Sequence, residues 1–502
     1  MDSESDQNLI EERKEKLAKF IGSKKGYIIY LLLFLVLAVS AYIRTRPIPK
    51  LKDITTNTWT LGPDLDPFLF LRWAEHIVEN GKLMVIDTMR NVPLGFNTSG
   101  EMKLLAYFIA WFHNFLSMFG WSDSITYSAI LFPVAAFSLS AIAFFIFSRK
   151  VFSDENKIIQ NLIALVSTAL FVLMPSLLPR TIAGIPEKES IAFFFMFLIF
   201  FFFICSYTES SSKKSYLYAL LAGISTALMS LAWGGSGLVF LTIAATVFFT
   251  FILGKINKVR LFSYGIWILS SFLLPQPFST RFNLGNLFYS LSTGAVFAIF
   301  FLMAIHIYII ERLEKKEGIK HFFEKIPSTF ISIILIAIIF SIIFSLYFGF
   351  DFIPHQIGEI VAQSVHPLDV SRFGLTVAEN KQPFFLNDWK DSFGPIVKGI
   401  PLFFWLFIAG SILLFYKMVY SLNKKERVIL TSSYTIFLFS LIFSKYSGSS
   451  ILNGNSAVSL IVYFGGMIFF VLSFLFVYFK RYKKKELGVF QQFSFGYILY
   501  FV

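Results

Sequence analysis

Cysteine is almost missing from this sequence. A single thiol, Cys205, stands among 502 residues, inside an apolar run, so no disulfide framework is possible. Charge is also scarce. Asp, Glu, Lys and Arg make up 15% of the chain, where a soluble domain carries about a quarter. Acidic residues are the rarer sign, 31 against 44 basic ones, which leaves a net charge of +13. No small-residue cleavage site follows the first apolar run, so that run reads as a retained span rather than a signal peptide. There is no internal repeat and none of the inverted-repeat symmetry of transporters. What fills the chain instead is apolar: 56% hydrophobic, 19% aromatic, 65 Phe and a mean hydropathy of +0.68. The expected class is an all-α polytopic membrane protein. The positive charge does not point to nucleic acid, because the basic residues sit in short loops between apolar runs, as membrane orientation requires.

Taken in order, a cytoplasmic N-terminal segment (1–26) precedes a multi-pass domain over 27–502. The first span runs from Tyr27 to Tyr42, with Lys24 and Lys25 before it. A long first outer loop (45–123) follows; within it Leu104 to Phe119 is too short to cross and reads as interfacial or re-entrant. Apolar runs then alternate to the end, and clusters of Lys and Arg fall at every second loop. One of the remaining loops, 351–395, is a second long outer loop. This predicts a cell-membrane protein with its N-terminus in the cytoplasm.

Three acidic stretches fall on the predicted outer side: LGPDLDPFLFLR (61–72), PRTIAGIPEKES (179–190) and TVAEN (376–380). A carboxylate beside a bilayer is costly to bury and is a functional candidate for that reason. Asp66, with Asp64 as the alternative, reads as a ligand for a hard divalent cation or a carboxylate that orients an acceptor. It also fits a plain helix N-cap ahead of Pro67. Glu187 and Glu189 flank Lys188 at the start of a long apolar helix; they suit one shared cation or simply the positive end of the helix dipole. Arg180 could take a phosphate or snorkel to the interface. Glu379 lies in a loop with His355, His366, Asp369 and Arg372, whose bland reading is an ordinary charged loop. Asn97-Thr98-Ser99 fits an N-glycosylation acceptor, and Trp233-Gly234-Gly235 a tight turn between spans.

These motifs, in this order, resemble the catalytic subunit of N-linked oligosaccharyltransferases, the STT3/AglB/PglB family, in its archaeal form. DLDPFLFLR resembles the family's first acidic motif, RTIAGIPEKES its second, AWGGSG a Trp-Gly-Gly turn, and TVAE the short outer-loop motif ending in Glu. The resemblance implies a GT-C type transmembrane domain. It implies inverting transfer of an oligosaccharide from a lipid-phosphate or pyrophosphate carrier of the dolichyl type to the asparagine of an Asn-X-Ser/Thr acceptor polypeptide. It further implies Mn2+ or Mg2+ held by Asp66, Glu187 and Glu189, and an acceptor amide oriented by Asp66 and Glu379, with Arg180 as a catalytic candidate.

Two departures accompany it. Both positions of the second motif are Glu, where the family usually begins with Asp. The family's C-terminal soluble domain, with its acceptor-reading WWDYG-type motif, is absent from residues 1–502, and the late-span arginine is not identifiable. The resulting expectation is a C-terminally truncated member that is inactive or acceptor-blind alone. The rival readings are another GT-C enzyme of the protein O-mannosyltransferase kind, a cation-coupled transporter and a family-derived scaffold. The loop position of the acids counts against the transporter.

Overall fold

The computed structural model describes residues 27–365 and 385–502. The chain divides into two compact units, Met1–Thr98 with Met102–Phe201, and Ser99–Glu101 with Phe202–Val502. Among the described residues, eight helices are long and apolar enough to cross a membrane, and four further apolar helices are shorter. The all-α expectation holds apart from two short antiparallel ribbons.

In the first unit, α1 (27–45) leads into a loop and then α2 (Asp66–Asn80). Gly81 ends α2 in the left-handed conformation at φ 75°. The ribbon β1 (Ile86–Asp87) and β2 (Phe96–Asn97) follows, then α3 (Leu104–Met118), α4 (Ile125–Val151), α5 (Lys157–Val172) and the start of α6 (Lys188–Thr208). Helix starts obey local chemistry: Ser124 and Asn156 cap α4 and α5 through their side-chain oxygens, satisfying amides that would otherwise lack partners. α3 is 15 residues long, or about 22 Å at 1.5 Å per residue, short of the length of a full span. α5 is also shorter than its expected span. It stops at Val172, and a 3-10 turn, Pro175–Leu177, carries the chain on.

The first loop is folded around Asp87. Its side chain is fully buried; Arg72 grips both of its oxygens, at 2.8 and 2.5 Å, and the Trp73 indole donates at 3.0 Å. This pair, with Asp87 buried and Arg72 half-buried, holds the first loop against α2.

In the second unit, α7 (Ser212–Ala232) and α8 (Ser236–Ile252) form the expected hairpin across Trp233-Gly234-Gly235, and α9 (Lys258–Leu273) packs on α7. Gly223 permits that approach: a Cβ there would overlap Ser270 Oγ at 1.7 Å. Small residues at a crossing let membrane helices pack backbone to backbone. Two expected spans come out differently. The apolar run over Leu287–Ile310 breaks between Tyr289 and Leu291, and the candidate span follows it as Ser292–Glu314, passing through a π turn at His306–Ile310. The one expected from Ile396 begins as a ribbon, Ile396–Val397 against Ile400–Pro401, and becomes helical only at Leu402–Met418. Lys398 and Gly399, both at positive φ, make the tight turn that a helix could not accommodate. Helices Lys424–Phe443 and Ala457–Lys483 pack as a pair, with Gly466 against Ser440.

Candidate metal and donor site

The second acidic motif is held in place by a buried arginine. Arg44, near the end of α1, is completely inaccessible. Its Nε donates to Thr181 Oγ1 at 2.9 Å, and Nη1 donates to Ser40 Oγ at 3.0 Å and the Val172 carbonyl at 3.1 Å. The guanidinium lies 3.9 Å from the centre of the Phe137 ring, and the Arg44 carbonyl accepts from Ala183 N at 3.0 Å. One side chain thus ties α1, α4 and α5 to the turn that carries the acids. Arg44 falls between the expected first span, Tyr27 to Tyr42, and the loop that starts at residue 45. A cation at the end of an apolar run is the signal that could have found it.

The same turn is tied to the first loop. Gly184 takes φ 89°, donates to the Ile130 carbonyl at 3.0 Å and accepts from Gly62 N at 2.8 Å. A Cβ at Gly184 would meet Leu51 Cδ1 at 2.5 Å. Glycine is required there both by the left-handed backbone and by the space. Two positions from Gly62 stands Asp64, and three positions from Gly184 stands Glu187, so the backbone bond brings the two motifs together.

The charges meet accordingly. Arg180 Nη1 lies 3.3 Å from Glu187 Oε1 and 3.9 Å from Asp64 Oδ2. Arg180 is therefore paired with both motifs rather than snorkelling. Glu187 is only 4% exposed, while Asp66 is exposed. Burial first, then the neighbouring Glu189, push the Glu187 carboxyl up to about 7; Asp66 and Asp64 add to this and Arg180 opposes it. Glu189 Oε2 is buried with no hydrogen-bond partner. Lys188, although flanked by the two acids, points its ammonium over the Phe70 ring, 5.1 Å from the centroid. Its charge is therefore spent on a cation–π contact.

Asp66 is not an N-cap. Leu65 holds that position without a side-chain bond, Asp66 is the first helical residue and Pro67 the second. The Leu65 carbonyl takes the Phe68 amide, and Asp64 Oδ1 takes the Leu65 amide, which leaves no capping task for the Asp66 carboxylate. Glu379, His366, Asp369 and Arg372 lie outside the described residues, and His355 sits in helix Phe352–Val365.

The acids suit a hard divalent cation: carboxylate oxygens, one of them buried without a partner, and a carboxyl group held high first by burial and then by its acidic neighbours. Among the described residues, no three acidic, His or Cys side chains stand close enough together to form a finished ion cage.

The sequence model of the family described as "Oligosaccharyl transferase STT3, N-terminal" matches residues 29–347. The chain belongs to the STT3 family. Solved structures of similar fold include the archaeal oligosaccharyltransferase AglB from Archaeoglobus fulgidus with an inhibitory peptide and a dolichol-phosphate, at 16% identity and TM-score 0.57, over 92% of this chain and 52% of that one. The A. fulgidus oligosaccharyltransferase tethered to an acceptor peptide containing the NVT sequon matches at 18% identity and TM-score 0.55, over 95% of this chain and 56% of that one. Its complex with Zn and sulfate matches at 19% identity and TM-score 0.52, over 91% and 53%. The STT3-family chain described here thus spans about half the length of these structures, and its helices take the GT-C oligosaccharyltransferase fold. None of the curated proteins matches it.

Proposed function

We propose that this chain supplies the metal and donor-phosphate half of an oligosaccharyltransferase. It would move an oligosaccharide from a dolichyl-type phosphate or pyrophosphate carrier to the asparagine of an Asn-X-Ser/Thr sequon, at the outer face of a cell membrane. The observation that carries this is the meeting of Asp64 and Asp66 with Glu187, Glu189 and Arg180, across more than a hundred residues of chain. A cation-coupled transporter needs no such meeting of loop acids at the ends of helices.

Asp66, Glu187 and Glu189 would hold Mn2+ or Mg2+, which when bound offsets the negative charge that develops on the departing lipid phosphate. Arg180 is the cation this chain adds at the same place: its guanidinium already sits between two carboxylates and presents several donors to a phosphate. An asparagine amide is a poor nucleophile because its nitrogen lone pair is shared with the carbonyl. Asp66, exposed at the helix start and free of a capping bond, can accept a hydrogen bond from that NH2 group; Glu379 is the proposed second acceptor. With the amide held and twisted from both sides, attack at the anomeric carbon from the face opposite the phosphate inverts the sugar.

The test is transfer to a fluorescent Asn-X-Thr peptide from a dolichyl-linked donor, in membranes from cells making the native protein. Asp66→Asn and Glu189→Gln should each lower the rate by at least about a hundredfold, the scale of removing one charge-stabilising group. Transfer that survives both substitutions and a chelator contradicts the assignment.

A further inference from the structure

In the second unit the start of helix Lys424–Phe443 lies beside the end of helix Ala457–Lys483, and the junction is built on one buried acid. Glu426 is 1% exposed. It accepts from Arg481 Nε at 2.8 Å and pairs with Lys480 at 3.1 Å, while Glu486 pairs with Arg481 at 2.5 Å. Both acids of the junction are thereby engaged. Lys424, Lys425, Lys483, Lys484 and Lys485 stand around them, all exposed. Tyr482 turns the other way and donates its hydroxyl to the Phe323 carbonyl. Arg427 lies over the rings of Tyr416 and Tyr420, at 4.9 and 4.4 Å, and Tyr420 is 64% exposed. Basic side chains among exposed tyrosines at the ends of apolar helices sit at the depth of lipid headgroups.

Lys485 supplies the second observation. The helix ends in a paired closure in which Glu486 N donates to the Arg481 carbonyl at 2.9 Å and Lys485 N to the Tyr482 carbonyl at 2.8 Å. The residue in the left-handed position of such a closure is usually glycine or asparagine. Here it is Lys485, at φ 57°. A glycine would relax the backbone there, whereas the lysine adds a cation to the group.

We propose that this junction is a binding platform for anionic lipid headgroups, with Glu426 as the internal counter-ion that lets the two basic helix ends pack side by side. The lysines that Glu426 and Glu486 leave unneutralised face the bilayer surface as one group. The charge alternation of the sequence assigns this face to the inside, opposite the acidic loops.

The test uses the detergent-purified protein titrated with mixed micelles carrying phosphatidylglycerol or phosphatidylcholine, read by fluorescence, with the thermal midpoint measured in parallel. Phosphatidylglycerol should bind at least about tenfold tighter, and Lys485→Gly should weaken it about fivefold, the contribution of one basic residue near an anionic surface. The midpoint of that variant should be unchanged or higher. Lys483→Gln with Lys484→Gln should weaken binding further, and millimolar inorganic phosphate should not compete. Equal affinity for the two lipids, full competition by phosphate, or a Lys485→Gly variant that binds as before or melts lower would each overturn the proposal.

Discussion

The amide of Gly62 donates to the carbonyl of Gly184 across 2.8 Å, and this one backbone bond is what brings the first acidic loop onto the second. Arg180 adds a side-chain tie beside it, pairing with Asp64 of the first loop and Glu187 of the second.

Substituting the two glycines should separate their roles. Gly184→Ala forces a side chain into φ 89° and against Leu51. Its cost should be about 2 kcal/mol or more, and glycan transfer should fall with it. At Gly62 the backbone is not left-handed, and the new Cβ would meet Ile185 Cγ1 at 3.0 Å and the Gly184 carbonyl at 3.3 Å, both looser than the 2.5 Å overlap at Gly184. Gly62→Ala should therefore be the milder of the two in both melting and transfer. The reverse order would show that the 184 turn does not set the site.

Glu187 should trade stability for function. Its carboxyl is raised from 4.5 to about 7, chiefly by burial, so the folded state keeps a proton that the unfolded chain loses between those values. Folded stability therefore falls as pH rises through that window, by about 3 kcal/mol in all. Glu187→Gln removes the penalty. In chelator at pH 8 the variant should melt several degrees above the parent, the gap should close by pH 4, and transfer should be lost. A variant that melts lower at pH 8 would mean the carboxylate is structural.

Asp87 has the opposite sign. The Arg72 guanidinium, with help from Trp73 and the Met89 amide, holds its carboxyl down at about 2 against an ordinary 3.8. The stability it contributes, about 2 kcal/mol, is complete above pH 4 and disappears as pH falls towards 2. Asp87→Asn should lower the melting point at pH 7 and have little effect near pH 2, read by circular dichroism in detergent.

Arg44 should govern the order of the acid-bearing turn. In Arg44→Ala the Thr181 hydroxyl and Val172 carbonyl lose their donor. Hydrogen exchange across residues 179–187 should speed by tenfold or more while α7 to α9, in the other unit, stay protected. Uniform loss of protection would mean that Arg44 supports the whole fold rather than this turn.

Much of the fold was legible because apolar runs, capping residues and basic loops are local signals. The start of α6 within PEKES, the hairpin at Trp233-Gly234-Gly235 and the short α3 all follow from them. The site was legible as residue types, and the pairing of Asp64, Glu187 and Arg180 agrees with the topology read from charge. Three features depended on contacts between distant segments that local patterns do not specify. Arg44 reads locally as an interface residue until Thr181 and Val172 are brought to it. Asp66 reads as a cap until Leu65 takes that position. The ribbon at Ile396–Pro401 reads as helix because its residues are apolar, and only the positive φ at Lys398 and Gly399 turns it.

The most direct test of the central claim is Mn2+ binding followed by electron paramagnetic resonance in detergent, for the parent chain and for Asp66→Asn and Glu189→Gln. The account predicts one Mn2+ per chain, displaced by Mg2+ and weakened at least tenfold by either substitution. Mn2+ that fails to bind, or that binds equally well without Asp66 and Glu189, would contradict it.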